Sequence, residues 1–406
     1  MGPTGRFEGA NKSTKCRGGI EDVRLLFELN DHISIKFSVT KKDIMRKIIL
    51  LFAASVLGAL LLESFSEREK RPLVIAYFSG SETQVQAIPA EKLDQVIYSF
   101  LHLVGSKLRV ENSNQDATIR ALVELKQKNP DLKVLISLGG WGGCETCSAI
   151  FSDEKGRLKF AKSVAKILNI YGADGIDLDW EYPAIEGFPG HLFQKADRGN
   201  FTALVQTLRS VLGPDKIISF AAGGHDEFLE NSVDWKAVMK EVDHVNVMTY
   251  DLFNGNSSST GHHTALYSND QQVLSTAHAV ERLLSKGVRP SQIVIGGAFY
   301  GRVWKNVADT AEGLYQKGTF KESVVYKDLP QYLAEGFEVK FDSVALAAYA
   351  YNKKQQLFIS FEDSITLRHK MKFVQTEDLK GIMFWELTQD NQNDLVEILY
   401  KSARNQ

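Results

Sequence analysis

The sequence predicts an α/β fold, a (β/α)8 TIM barrel with a small α+β insertion between its seventh and eighth strands, on three observations. Eight short apolar, β-rich runs recur after Pro72. Amphipathic stretches with apolar residues at three-to-four spacing lie between most of them. Neither G-x-G-x-x-G nor G-x-x-x-x-G-K-[ST] follows the first run, which removes the main reason to prefer a doubly wound nucleotide-binding sheet.

In chain order the runs are Leu73–Phe78, Val96–Leu101, Lys133–Leu138, Gly175–Glu181, Ile217–Ala222, His244–Tyr250, Ile293–Tyr300 and Gly381–Glu386. Each has the length of a strand and the apolar content of one covered by helices. Between them, Ala117–Lys128, Glu154–Tyr171, Arg198–Leu212 and Gln271–Lys286 carry the helical period. The stretch between runs seven and eight is too long for one helix and contains further strand-like runs, Val339–Phe341, Ala345–Asn352 and Gln356–Ser360. An excursion of that size is uncommon without a function. The expected division is a barrel over 72–305 and 368–403, with an insertion over 306–367 on the face where such barrels carry their chemistry.

The chain has 406 residues, 44% hydrophobic and 24% charged, enough for one large globular domain or two ordinary ones. A net charge of -2, with no Lys/Arg cluster interleaved with aromatics, argues against a nucleic-acid partner. Residues 1–44 are polar and mixed; Met45-Arg46-Lys47 then leads into an uncharged run from Ile48 to Leu62. A basic start before an apolar core too short for a full span reads as a signal peptide over 45–66, or as an uncleaved anchor. Residues 1–44 are then a non-native upstream extension, with translation starting at Met45, or a tail. Either reading predicts export, to a secreted, periplasmic or cell-envelope location, with membrane contact only if 48–62 stays as an anchor. Cys144 and Cys147 form a C-x-x-C pair after a Gly-rich turn, open to redox, zinc or disulfide readings. No second Cys or His pair stands at zinc spacing, and a loop-pinning disulfide also suits an exported chain. His262-His263 suggests a metal pair, but adjacent side chains on an extended segment diverge, and a cleft-edge loop is the expected role.

The run from Asp174 to Pro183, D-G-I-D-L-D-W-E-Y-P, puts four acids into eight residues. On a strand Asp177, Asp179 and Glu181 share one face, and Ile176, Leu178 and Trp180 take the other. Asp174 is out of phase and is assigned a structural role. Three carboxyls on one face repel and resist burial, so at least one is held protonated by its neighbours. A neutral acid near pH 7 is what general-acid catalysis needs. A helix-loop-helix calcium site would space its acids with polar residues and a central Gly.

Aromatics recur at the predicted strand ends: Tyr77, Phe100, Ser137-Leu138-Gly139-Gly140-Trp141, Met248-Thr249-Tyr250-Asp251, Tyr300-Gly301-Arg302 and Trp385. Rings stack on the apolar faces of pyranosides while acids bond hydroxyls, so the combination suits a sugar site. The motifs D-G-I-D-L-D-W-E, S-L-G-G-W, M-T-Y-D, F-Y-G-R and M-F-W-E-L together resemble family 18 of the glycoside hydrolases, specifically secreted bacterial-type chitinases, over about residues 72–403.

That resemblance implies retaining hydrolysis of β-1,4-linked N-acetylglucosamine polymers, in which the substrate's own acetamido oxygen attacks the anomeric carbon to give an oxazolinium ion. It implies Glu181 as general acid and base, Asp179 orienting the acetamido N–H, Asp177 sharing a proton beneath it, Tyr250 bonding the acetamido oxygen and Asp251 beside it. Trp385 would floor the cleaved sugar, and Tyr77, Phe100, Ser137, Gly140, Trp141, Tyr182, Met248 and Arg302 would contact substrate. The partner is chitin or its oligosaccharides; no cofactor or metal is required, and a monomer is expected. The alternatives are an endo-β-N-acetylglucosaminidase, a peptidoglycan-directed hydrolase, or a non-catalytic chitin-binding lectin.

Overall fold

The computed structural model describes residues 23–25, 37–39, 50 and 71–405. The expected extension or tail over 1–44 and the signal or anchor over 45–66 therefore fall almost wholly outside the described residues. Upstream of Arg71, Val23–Leu25 pairs antiparallel with Phe37–Val39 in a unit of its own.

From Leu73 the chain builds eight parallel strands: β1 (Leu73–Phe78), β2 (Gln95–Val104), β3 (Lys133–Gly139), β4 (Gly175–Asp179), β5 (Ile217–Gly223), β6 (His244–Met248), β7 (Ile293–Ala298) and β8 (Gly381–Trp385). Each pairs with the next, and β8 pairs with β1, closing a (β/α)8 barrel as expected. The helices outside it form where sequence chemistry directs. Helix Glu154–Tyr171 is opened by the Asp153 carboxylate, which accepts the Gly156 amide, and buries Phe160, Ala161, Val164, Ile167 and Leu168. Helix Asp197–Leu212 turns Phe201, Leu204, Val205 and Leu208 inward by the same period.

Two apolar layers result. Ile176, Leu178 and Trp180 join the large cluster between barrel and helices, while Ile75, Tyr77, Ile97, Leu135, Val294 and Met383 fill the barrel interior. Strand alternation on β4 therefore aims Asp177 and Asp179 inward. Asp174 lies at the opposite end of β4, where its carboxylate accepts the Val134 amide at 2.7 Å and pairs with Lys126, in keeping with a structural role.

The insertion is a five-stranded antiparallel sheet in the order Thr319–Val325, Tyr300–Lys305, Leu357–Phe361, Ala347–Asn352 and Glu338–Asp342, with the short helix Leu329–Leu333. Its first strand starts at Tyr300, upstream of the expected boundary at 306. The apolar run Ile293–Tyr300 is continuous in sequence, but the chain leaves the barrel after Ala298. There Phe299 donates its amide to Trp385 and accepts from Tyr326, a break that periodicity does not register. Thr319–Val325 exposes Thr319, Lys321 and Ser323 at alternate positions and so lacks the apolar run that marks the other strands.

A buried ion pair fastens the sheet's return to the barrel. Lys370 Nζ lies 3.0 Å from Glu362 Oε1 and donates to Thr264 Oγ1 and the Gly296 carbonyl, while Glu362 accepts the Ala298 amide at 2.8 Å. Removing one member of a fully buried pair leaves an uncompensated charge. Lys370→Met should cost about 3–5 kcal/mol in urea unfolding, and the double variant with Glu362→Gln should recover part of that loss. Equal stability of single variant and wild type would contradict the assignment.

Candidate active site

Asp177 is fully buried at the barrel centre and receives four hydrogen bonds from four other strands. Ser137 Oγ on β3 and Tyr77 hydroxyl on β1 donate to Oδ2 at 2.8 and 3.2 Å; Ser219 Oγ on β5 and Asn246 Nδ2 on β6 donate to Oδ1 at 2.6 and 3.2 Å. The parallel registers place Ser137 and Ser219 directly beside Asp177 on its two neighbouring strands. Burial pushes its carboxyl up, and these donors work in the opposite direction. Asp179, two residues on and also buried, has an Oδ1 with no partner. Burial first, then the charges of Glu181 and Asp177, push Asp179 well above the usual carboxylate range. Of the two, Asp177 has the donors that favour an anion, and Asp179 is pushed further toward its neutral form.

Glu181 stands just past the end of β4. Burial pushes its pKa up to about 7; the Tyr182 hydroxyl opposes this and the Asp251 charge adds to it. Asp251, in the loop after β6 at φ 57°, is gripped by Arg302, whose Nε and Nη2 donate at 2.7 and 2.6 Å. Burial opposes ionisation of Asp251, but the nearby His263 ring and the bidentate guanidinium outweigh it and hold the carboxyl below its usual range. The half-buried Tyr250 has its hydroxyl 4.0 Å from Met383 Sδ, and its ring meets Tyr300 edge-on at 6.2 Å.

Asp179, Glu181, Tyr250, Asp251, Tyr300 and Arg302 line a cleft of about 970 Å³ at the C-terminal rim of the barrel. Phe100 and Trp385 stack at 5.6 Å and 15°, with Tyr77 tilted against Trp385 at 5.9 Å. Trp141 projects at the mouth, 56% exposed, edge-on to Phe188 and Tyr182. Of the expected substrate contacts, Tyr77, Phe100, Trp141, Tyr182, Met248, Arg302 and Trp385 line the cleft. Ser137 and Gly140 do not: Ser137 is fully buried against Asp177, and Gly140 supports Phe100 from behind. At φ 81° a Cβ on Gly140 would lie 2.4 Å from the Phe100 ring, so only glycine fits there. Arg302 and Tyr300 reach the cleft from the insertion's first strand, not from the end of β7.

Sequence reasoning missed Ser219, Asn246, Phe188 and His225. Ser219 and Asn246 were legible as polar residues on inward positions of apolar strands; Phe188 and His225 lie in loops without a period. Cys144 and Cys147 are disulfide-bonded, both buried, and Cys147 opens the short helix Cys147–Phe151. His262 and His263 do diverge, yet neither forms a cleft edge: both are fully buried, His262 bonding Asp342 at 3.0 Å and His263 facing Asp251.

A closed (β/α)8 barrel with an acid of elevated pKa among stacked rings at its C-terminal rim defines a glycoside hydrolase. Residues 73–390 match the sequence profile of glycosyl hydrolases family 18, and the chain belongs to that family. It is 31% identical over 304 residues to chitinase A1 of Niallia circulans, covering 68% of this chain but 43% of that longer protein. With chitinase 1 of Aphanocladium album it shares 28% over 347 residues, covering 76% of this chain and 78% of the other. A family 18 N-acetylglucosaminidase from Paenibacillus barengoltzii superposes with a TM-score of 0.73 at 32% identity, covering 82% of this chain and 99% of that one.

Because Glu181 holds its proton up to about pH 7, kcat/KM should fall as pH rises through that value. Asp251→Asn removes a negative charge that raises Glu181 and keeps a side chain tolerant of positive φ. Its alkaline limb should move to lower pH in a kcat/KM profile; a limb that stays or moves upward would contradict this coupling.

Proposed function

We propose that the protein hydrolyses β-1,4-linked N-acetylglucosamine chains, chitin and its oligosaccharides, through the substrate's own acetamido group. The observation that carries this reading is the gradient along β4: Asp177 with four donors, Asp179 with an unpartnered oxygen and a carboxyl pushed well up, and Glu181 near pKa 7 facing the cleft. Glu181 Oε–H protonates the glycosidic oxygen as the C1–O bond breaks, and the acetamido carbonyl oxygen closes onto C1. Asp179 holds the acetamido N–H, the Tyr250 hydroxyl holds the carbonyl oxygen side, and the charge on Asp177 stabilises the positive oxazolinium ion. The sugar being cleaved rests on Trp385. The Glu181 carboxylate then takes a proton from water, whose oxygen attacks C1 and reopens the ring with β configuration retained.

The named chitinases among its relatives support the polymer assignment. Similarity to an N-acetylglucosaminidase over nearly that protein's whole length favours a second reading, removal of single sugar units. The buried Cys144–Cys147 disulfide supports export from the cytoplasm.

Glu181→Gln should lower the rate by at least about a hundredfold, the usual size of a general-acid contribution, while calorimetry still detects oligomer binding. Wild-type protein should release the β-anomer from a chitin hexamer, read by NMR, and leave a high-mannose glycopeptide intact. Cleavage of the glycopeptide with inert chitin would overturn the substrate; initial release of the α-anomer would overturn the mechanism. End-labelled hexamer separates the two chitin readings by product length.

A further inference from the structure

Resting on that reading of the cleft, we propose that His225 is a specificity-determining residue whose Nε2–H donates a hydrogen bond to the sugar on the leaving-group side of Glu181. His225 follows β5 and lines the cleft together with Tyr182. The rings of the cleft fall into two sets. Phe100, Tyr77 and Trp385 pack on one another beneath the sugar that is cleaved. Trp141, Phe188 and Tyr182 form the other, with His225 edge-on to Tyr182 at 5.5 Å and 73°. Tyr182 directly follows the acid, so this second set borders the space into which the leaving sugar extends.

The imidazole is fixed in place. Its Nδ1 accepts the Phe228 amide at 3.4 Å and thereby caps the short helix Asp226–Asn231. An amide can only donate, so in the neutral ring the proton sits on Nε2. Burial lowers the pKa of this ring, with Glu227 and Asp226 acting against the shift, and so favours the neutral form. A Cβ built on Gly223 would lie 2.9 Å from Nε2, which sets this nitrogen beside cleft-lining Gly223, and Nε2 makes no hydrogen bond among the described residues. It is a pre-aimed donor in a sugar-sized cleft, suited to a hydroxyl or acetamido oxygen of an uncharged sugar.

Capping alone does not account for a histidine here. Elsewhere the chain accepts helix-opening amides with Asn112, Asp153, Asp234, Ser275 and Asp363, the short oxygen side chains that suit this position. Histidine adds what they lack, a second nitrogen on the far side of a rigid ring.

The test uses His225→Asn and His225→Ser, both of which keep an oxygen for the cap and remove the distal donor. With a chitin hexamer, KM should rise by about two- to tenfold, the size of one neutral hydrogen bond, while kcat stays within about twofold. In the Glu181→Gln background the calorimetric Kd for the hexamer should rise by the same factor. Thermal melting identifies a variant whose helix cap has failed, and the other then carries the comparison. Unchanged KM and Kd would overturn the assignment of His225 alone, as would a fall in kcat with KM unchanged, which would make it a positioning group for Glu181 through Tyr182. A wild-type protein inert toward chitin oligomers would instead overturn the reading of the cleft on which the proposal stands.

Discussion

One carboxylate in the centre of the barrel constrains everything around it. An anion out of water is costly, and Asp177 is tolerated because Tyr77, Ser137, Ser219 and Asn246 bring donors to it from β1, β3, β5 and β6. Those four positions can converge only in a closed barrel, since an open sheet would hold β1 and β6 far apart. The catalytic gradient follows from this arrangement. With the donors spent on Asp177, the next inward acid is left with an unpartnered oxygen and is pushed well up toward its neutral form, and the third stands at the rim with a pKa near neutrality. Three acids on one strand face thus differ by depth and partners, not by residue type.

The insertion belongs to the site as much as the barrel does. Arg302 on its first strand neutralises Asp251, and Tyr300 packs edge-on to Tyr250. At its other end the Glu362–Lys370 pair ties the returning chain to Gly296 and Thr264. Gly296 in turn donates its amide to Thr249, the residue before Tyr250. A sheet that looks like a decoration on the barrel therefore sets the electrostatics of one cleft wall and fastens the backbone beside the tyrosine. The same logic explains buried His263: it is the inner support of Asp251, facing away from the cleft edge.

Aromatic placement obeys a similar division. Phe100 can stack on Trp385 only because Gly140 behind it has no side chain, and the residue that first looked like a substrate contact is instead a space-maker. Ser137 is comparable: its hydroxyl is committed to Asp177 and never reaches the cleft. A motif such as S-L-G-G-W thus mixes three tasks, support of Asp177, space for Phe100 and an exposed ring at the cleft mouth, within five residues.

The sequence by itself determined the barrel, the inward phase of Asp177, Asp179 and Glu181, the outlying role of Asp174, and most of the ring set. These rest on local periodicity: alternation on a strand fixes the face, and the helical period fixes which residues are buried. Only the tertiary structure decided which polar residues pay attention to one another across strands, because Ser219 and Asn246 are ordinary strand residues until closure brings them to Asp177. It also decided that Tyr300 and Arg302 belong to the insertion, since the apolar run through Ile293–Tyr300 continues in sequence across the point where the chain leaves the barrel. His225 and Phe188 entered the cleft by loop geometry, and loops carry no period from which their direction could be read.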